Sequence, residues 1–172
     1  MDFLISNCNR DFGNKNKVSQ TALFTLGTLF GLVNGNSRFL WGYLMDKFGF
    51  RTLMFSITSI EVTVGVLLFF VVSYDAIFVI CVLCIGACIG GNFVILAPTF
   101  KKIFGLQIGP ELYGITSIAI GISNLCGPIL TTLILEENKD YLIAFLISAS
   151  LSFGKIILLL FFKETEYVYN TV

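Results

Sequence analysis

The sequence contains no histidine and little charge: only 13% of its 172 residues are Asp, Glu, Lys or Arg. Without imidazole there is no His-based acid/base work, no Ser-His or Cys-His nucleophile activation and no imidazole metal site. Most enzyme chemistries end there, and no cofactor or metal is expected. A soluble domain carries about 25% charged residues, and a chain this poor in charge cannot cover a globule with polar surface. Nor is one sign in excess. Eleven basic residues balance eleven acidic ones, so nucleic acid is not an expected partner. Of the five cysteines, Cys81, Cys84, Cys88 and Cys126 sit inside apolar runs and only Cys8 lies in a polar segment, which argues against a secreted disulfide framework. The stretch Met1 to Asn7 lacks a basic start and has only Phe3 to Ile5 as consecutive apolar residues; it does not read as a cleavable signal peptide.

What is present is apolar. Hydrophobic residues make up 56% of the chain and the mean hydropathy is +0.88, enough for about five bilayer-crossing helices of about 20 residues each. The runs predict spans over 21–45, 52–72, 76–98, 113–135 and 141–162, with a polar tail or loop at 1–17, a transmembrane domain over 18–163 and a cytoplasmic tail at 164–172. Their continuous apolar character favours helices over the alternating short strands of a barrel. The expected fold is therefore an all-α polytopic transmembrane helix bundle, a multi-pass integral membrane protein whose first partner is the lipid bilayer. Lys47, Arg51, Lys101, Lys102 and Lys163 follow the first, third and fifth spans, against Lys139 alone in the opposite inter-helix loops. That bias assigns the former side to the cytoplasm, although Arg10, Lys15 and Lys17 of the tail fall opposite.

Several side chains are costly in lipid and so call for a role. Gly27, Gly31, Gly35, Arg38 and Gly42 share a narrow arc of the first helix, with Asn34 beside them. Glycine admits a close neighbouring backbone, and an arginine about 12 Å inside the membrane must face protein or water. Arg38 is either a ligand-site cation or a structural one paired with a carboxylate; ionisable groups within the membrane favour the first. Glu61, about 15 Å deep on the returning helix, is the candidate charge partner of Arg38, with proton coupling as its other role. Lys155 lies close enough to Phe162 to snorkel to the headgroups. Cys81, Cys84 and Cys88 share a face and read as small packing residues rather than a thiolate metal site. Ser117, Gly121, Asn124 and Pro128 share a face of the fourth helix, suited to lining a cavity.

The stretch Gly42-x3-Asp46-Lys47-x-Gly49-x-Arg51 resembles the inter-helix motif of the major facilitator superfamily. The wider block Asn34-Gly35-x2-Arg38-x2-Trp41-Gly42-x3-Asp46, together with Gly90-Gly91-x-Phe93-x4-Pro98-x5-Phe104-Gly105 and Tyr113-Gly114-x12-Gly127-Pro128, is similar to the branch of oxalate/formate antiporters and monocarboxylate carriers. The resemblance implies that the spans are helices eight to twelve of a twelve-helix carrier, a C-terminal portion whose partner is the set of missing N-terminal helices or a separate half. It implies transport of a small organic anion, a monocarboxylate, by alternating access, with Arg38 binding the carboxylate; Asn34, beside it on the first helix, and Asn124, on the polar face of the fourth, are the further substrate-binding candidates by their positions. By the same resemblance Gly42, Asp46, Lys47, Gly49 and Arg51 control conformation. A non-transporting scaffold or subunit is the alternative. The charge bias generates one test: single cysteines at Lys102 and Lys139, in a chain whose own cysteines are replaced, should react with an impermeant thiol reagent from opposite sides of the membrane.

Overall fold

The computed structural model describes residues 13, 18–71, 74–138 and 141–161, with only the backbone described for 69–71, 128, 130–138 and 141–149. The expected tails and the loop bearing Lys139 lie outside the described residues. Among the described residues from 18 onward, four helices follow one another: α1 (Gln20–Phe48), α2 (Phe50–Val71), α3 (Asp75–Asn138) and α4 (Tyr141–Phe161). Among the described residues there is no strand.

Helix α1 starts at Ser19, whose side chain accepts a hydrogen bond from the Ala22 amide at 3.3 Å, satisfying a free first-turn donor. It ends at Gly49, the one residue between α1 and α2, which adopts φ 77° and donates its amide to the Met45 carbonyl at 3.1 Å. A side chain there would be strained, so glycine makes the reversal possible. Along α1, Leu23, Leu26, Ser37, Trp41 and Met45 are buried, at the three- and four-residue steps of one helical face.

Helix α3 is 64 residues long but is not one rod, because Gly105 has φ 79° and ψ 178°. Phe100 and Tyr113 have ring centroids 6.4 Å apart, whereas thirteen residues of straight helix would separate them by about 20 Å. The chain therefore doubles back at Gly105 into two limbs. Residues 99–112 fall between the third and fourth expected spans. They are helical on both sides of Gly105, since Lys101, Lys102 and Glu111 can point outward from helix and a single positive φ supplies the turn.

The first limb of α3 is the centre of the bundle, packing against both α1 and α2, while α1 and α2 touch each other little. Ser19 donates its amide to Asp75 Oδ2 at 3.2 Å, and at the other end Met45 and Ile95 share a core cluster. Helix α1 and the first limb are thus parallel, with α2 running back between their ends. Arg51 Nη2 reaches the Leu160 carbonyl at 3.1 Å, so the end of α4 joins the start of α2. One core cluster joins Leu23 and Leu26 to Leu68, Phe78, Val82 and Ile85; the other joins Trp41 and Met45 to Leu53, Ile57, Ile95 and Leu159.

Among the described residues, two stretches, Phe50–Leu68 and Asp75–Gly127, are long and apolar enough to cross a membrane, and Ser150–Phe161 is a shorter apolar one. Helix α1 is not among them, because Asn34, Asn36, Ser37 and Arg38 interrupt it. Large apolar side chains nevertheless face outward on every helix, including Phe39, Val66, Ile118 and Leu158, more apolar surface than a water-exposed monomer tolerates.

Close packing of α1 on α3 rests on Gly90, where an added Cβ would come within 2.6 Å of the Asn34 carbonyl. Gly90→Val should destabilise the bundle by about 2 kcal/mol or more through overpacking, whereas Gly27→Ala, with open space at the Cβ position, should change it by less than about 0.5 kcal/mol. Thermal unfolding in detergent compares the two; equal melting would contradict this packing.

Candidate functional site

Asn34 organises the surroundings of Arg38. Its Nδ2 donates to the Gly86 carbonyl at 2.9 Å, across the α1/α3 interface, while its Oδ1 accepts from Arg38 Nη2 at 3.3 Å. Trp41 Nε1 donates to the neighbouring Ala87 carbonyl at 2.9 Å. These side-chain donors can reach helix carbonyls because α3 presents glycine where the helices cross: Gly86 faces Phe30, Gly90 faces Asn34 and Ser37, and Gly91 faces Trp41. On the other side of Arg38, the guanidinium carbon lies 5.8 Å from the centroid of the Phe93 ring, a cation–π distance. Arg38 is exposed, and no carboxylate pairs with it among the described residues. Its charge is held by one neutral amide and one ring face. Asn34 is thus a residue that positions Arg38.

Glu61 does not pair with Arg38. It is 3% exposed, accepts from Asn92 Nδ2 at 2.7 Å on Oε1, and has Lys155 Nζ 3.6 Å from Oε2. Lys155 also donates to Asn92 Oδ1 at 3.3 Å. A closed triangle of carboxylate, amide and ammonium therefore ties α2, α3 and α4 together. Glu61 and Arg38 meet adjacent residues, Asn92 and Phe93, on the first limb of α3, which stands between their helices. Consecutive residues of that limb serve the two charges separately, Asn92 taking Glu61 and Phe93 taking Arg38. The snorkelling expected of Lys155 gives way to an inward pair for the same reason: a buried carboxylate attracts the nearest ammonium more strongly than distant headgroups do. Asn92, Phe93 and Lys155 were not expected as partners. A primary amide in the middle of an apolar run was the signal for Asn92, because it must find partners inside the membrane.

Asn34 apart, none of the sequence candidates is hydrogen-bonded to Arg38 among the described residues. Asn124 is on the second limb of α3, where its Oδ1 is buried with no hydrogen-bond partner, and no hydrogen bond joins it to Arg38 or Asn34 among the described residues. Ser117 turns its hydroxyl back to the Tyr113 carbonyl at 2.8 Å. Cys81 and Cys88 are buried in the core while Cys84 is exposed, so the three do not share one buried face. Gly42 lies 3.5 Å, at its Cβ position, from Val94. Asp46, Lys47 and Arg51 are exposed at the α1/α2 turn, with Lys47 Nζ 5.5 Å from the Phe48 ring centroid. Arg51 sits unfavourably at the positive start of its own helix, and its bond to Leu160 offsets this by placing the guanidinium on the negative end of α4.

The Glu61 triangle generates a thermodynamic prediction. Lys155→Gln should destabilise by about 2 kcal/mol, below the range for a fully buried pair because Lys155 is 31% exposed. Adding Glu61→Gln should recover most of that loss by removing the stranded carboxylate. Unfolding in detergent of both single variants and the double variant measures the coupling; additive losses would contradict a direct pair.

A comparison with curated proteins finds no match. The sequence model of one family, however, the Major Facilitator Superfamily, matches residues 3–171, nearly the whole chain. That match agrees with an all-helical bundle bearing the glycine-acid-base turn between α1 and α2. The chain therefore belongs to the Major Facilitator Superfamily of membrane transporters.

Proposed function

We propose that this transporter moves a small organic anion, a monocarboxylate such as formate, lactate or pyruvate, by alternating access, with Arg38 as the anchor for the carboxylate. In this reading the two limbs of α3 are separate spans, so that the helices cross the membrane five times. The observation that carries it is the setting of Arg38: an exposed guanidinium in mid-helix, held by Asn34 Oδ1 and the Phe93 ring, with no carboxylate paired to it among the described residues. A guanidinium offers a planar fork that matches one carboxylate bidentately. Lys155 supports the choice of a monoanion, because its charge is already met by Glu61. A dianion would bring a second carboxylate out of water with no positive partner from these helices, and an unpaired charge in a low-dielectric site disfavours binding strongly.

A second reading has its own observation. Gly27, Gly31 and Gly35 have nothing within 4 Å of their Cβ positions, so the face of α1 that carries them stands open for another helix pair. The bundle would then work as a subunit against a separately encoded half, and uptake would require co-expression of the two.

Uptake of labelled pyruvate and oxalate, in cells carrying the intact transporter, tests the first reading. Arg38→Gln should reduce pyruvate uptake at least about tenfold, the loss expected when a charge-assisted hydrogen bond disappears, and Arg38→Lys should restore only part of it. Full transport by Arg38→Gln, or competition by an uncharged sugar, would overturn the assignment. Asp46→Asn, at the turn and remote from Arg38, should slow turnover while leaving substrate affinity nearly unchanged; a large loss of equilibrium binding at normal turnover would contradict a conformational role.

A further inference from the structure

The end of the bundle at which α1 meets α2 gathers cations from three elements. Lys47 closes α1, Arg51 opens α2, and Lys101 and Lys102 stand on α3 just before the Gly105 reversal; all four are exposed. The contacts already described bring them to one end: Met45 and Ile95 share a cluster, and Arg51 meets the end of α4. Asp46 and Glu111 are the acids at this end among the described residues. Apolar side chains are exposed among the cations, Phe48 at 50% and Leu106 at 71%.

The reversal that follows Lys101 and Lys102 is closely packed. Gly109 backs onto the Phe100 carbonyl, 2.8 Å from its Cβ position, and Phe100 stacks on Phe104 at 5.8 Å while also meeting Tyr113. The lysines stand just before this packed turn, and Leu106 follows directly after it. Ammonium groups interleaved with exposed apolar side chains fit the boundary between headgroups and acyl chains, where each kind of group meets its own solvent. A soluble anion would leave Phe48 and Leu106 in water.

We propose that this end of the bundle docks the headgroups of anionic phospholipids, with Lys101 and Lys102 on the phosphates and Phe48 and Leu106 in the acyl boundary. The site is distinct from Arg38, which lies in mid-helix, and does not depend on which substrate the transporter carries.

Native mass spectrometry of the purified full chain tests it, using phosphatidylglycerol and phosphatidylcholine with identical acyl chains at equal concentration. Since a lysine near an anionic surface shifts binding about fivefold, and among the described residues two acids oppose the four cations here, a net two cations should make the chain retain phosphatidylglycerol about 25-fold over phosphatidylcholine. In Lys101→Gln/Lys102→Gln the preference should fall below about twofold. Should the double variant not insert, each single lysine variant should still show a reduced ratio. Arg38→Gln removes a cation away from this end and should leave the ratio unchanged. Equal retention by the unaltered chain, an undiminished preference in the lysine variants, or an equal drop in Arg38→Gln would each overturn the proposal. Displacement of the lipid by excess inorganic phosphate would overturn it too, by showing a small-anion site in place of a lipid-docking surface.

Discussion

The close approach of α1 to the backbone of α3 is the constraint on which the rest of the structure depends. Side-chain donors on α1 reach carbonyl oxygens in the middle of α3, Asn34 to Gly86 and Trp41 to Ala87, and they can do so only where α3 carries no bulky side chain. Gly86, Gly90 and Gly91 provide that surface. In an apolar environment, such packing and interhelical hydrogen bonds drive association, because burial of apolar surface from water is not available to do so. One consequence reaches the candidate site directly. The amide that fixes α1 to α3 is the same amide whose oxygen holds Arg38, so the position of the guanidinium is set by the interface and not by the flexibility of its own stem.

The first limb of α3 also partitions the charges. On one side Asn92 completes the neutral triangle with Glu61 and Lys155; on the other Phe93 offers Arg38 a ring face and no countercharge. The alternatives differ greatly in energy. A buried carboxylate stripped of its ammonium would cost several kcal/mol, which holds α2 and α4 against α3. Arg38 is exposed and keeps a charge that an anion can meet. Had Glu61 paired with Arg38, the bundle would have been neutral at that position and Lys155 would have been left to find headgroups.

The helices were legible in the sequence because continuous apolar runs and their glycine or charged punctuation act along the chain. Gly49 in the short turn after Lys47 is the plainest case: a charged stretch with glycine between two apolar runs becomes a one-residue reversal at positive φ. Partnerships across helices were far less legible. Rise per residue fixes depth, and depth alone matched Glu61 to Arg38; the azimuth that separates them depends on which helix stands in between. The glycines show the same limit. The evenly spaced Gly27, Gly31 and Gly35 of α1 suggest a packing face, yet they meet nothing within 4 Å, and the glycines that take the close contacts between α1 and α3 are Gly86, Gly90 and Gly91. Spacing along one helix identifies a smooth face without saying what fills it.

The unequal packing of the two faces bears on how the bundle could move. Around Glu61, three helices are joined by an ion pair and two hydrogen bonds, and Arg51 adds a bond from α2 to the end of α4. Sliding any one of these helices by a residue would break contacts to a buried charge. The glycine face of α1 has no such tie, and the second limb of α3 exposes Ile115, Ile118, Ile122 and Leu125 along its length. Motion is therefore least costly at those surfaces, with the tied helices travelling as a unit. If a substrate anion is held at Arg38, as proposed, its single charge can bias which arrangement is favoured, since a ligand can shift an equilibrium only by the difference in its affinity for the two states.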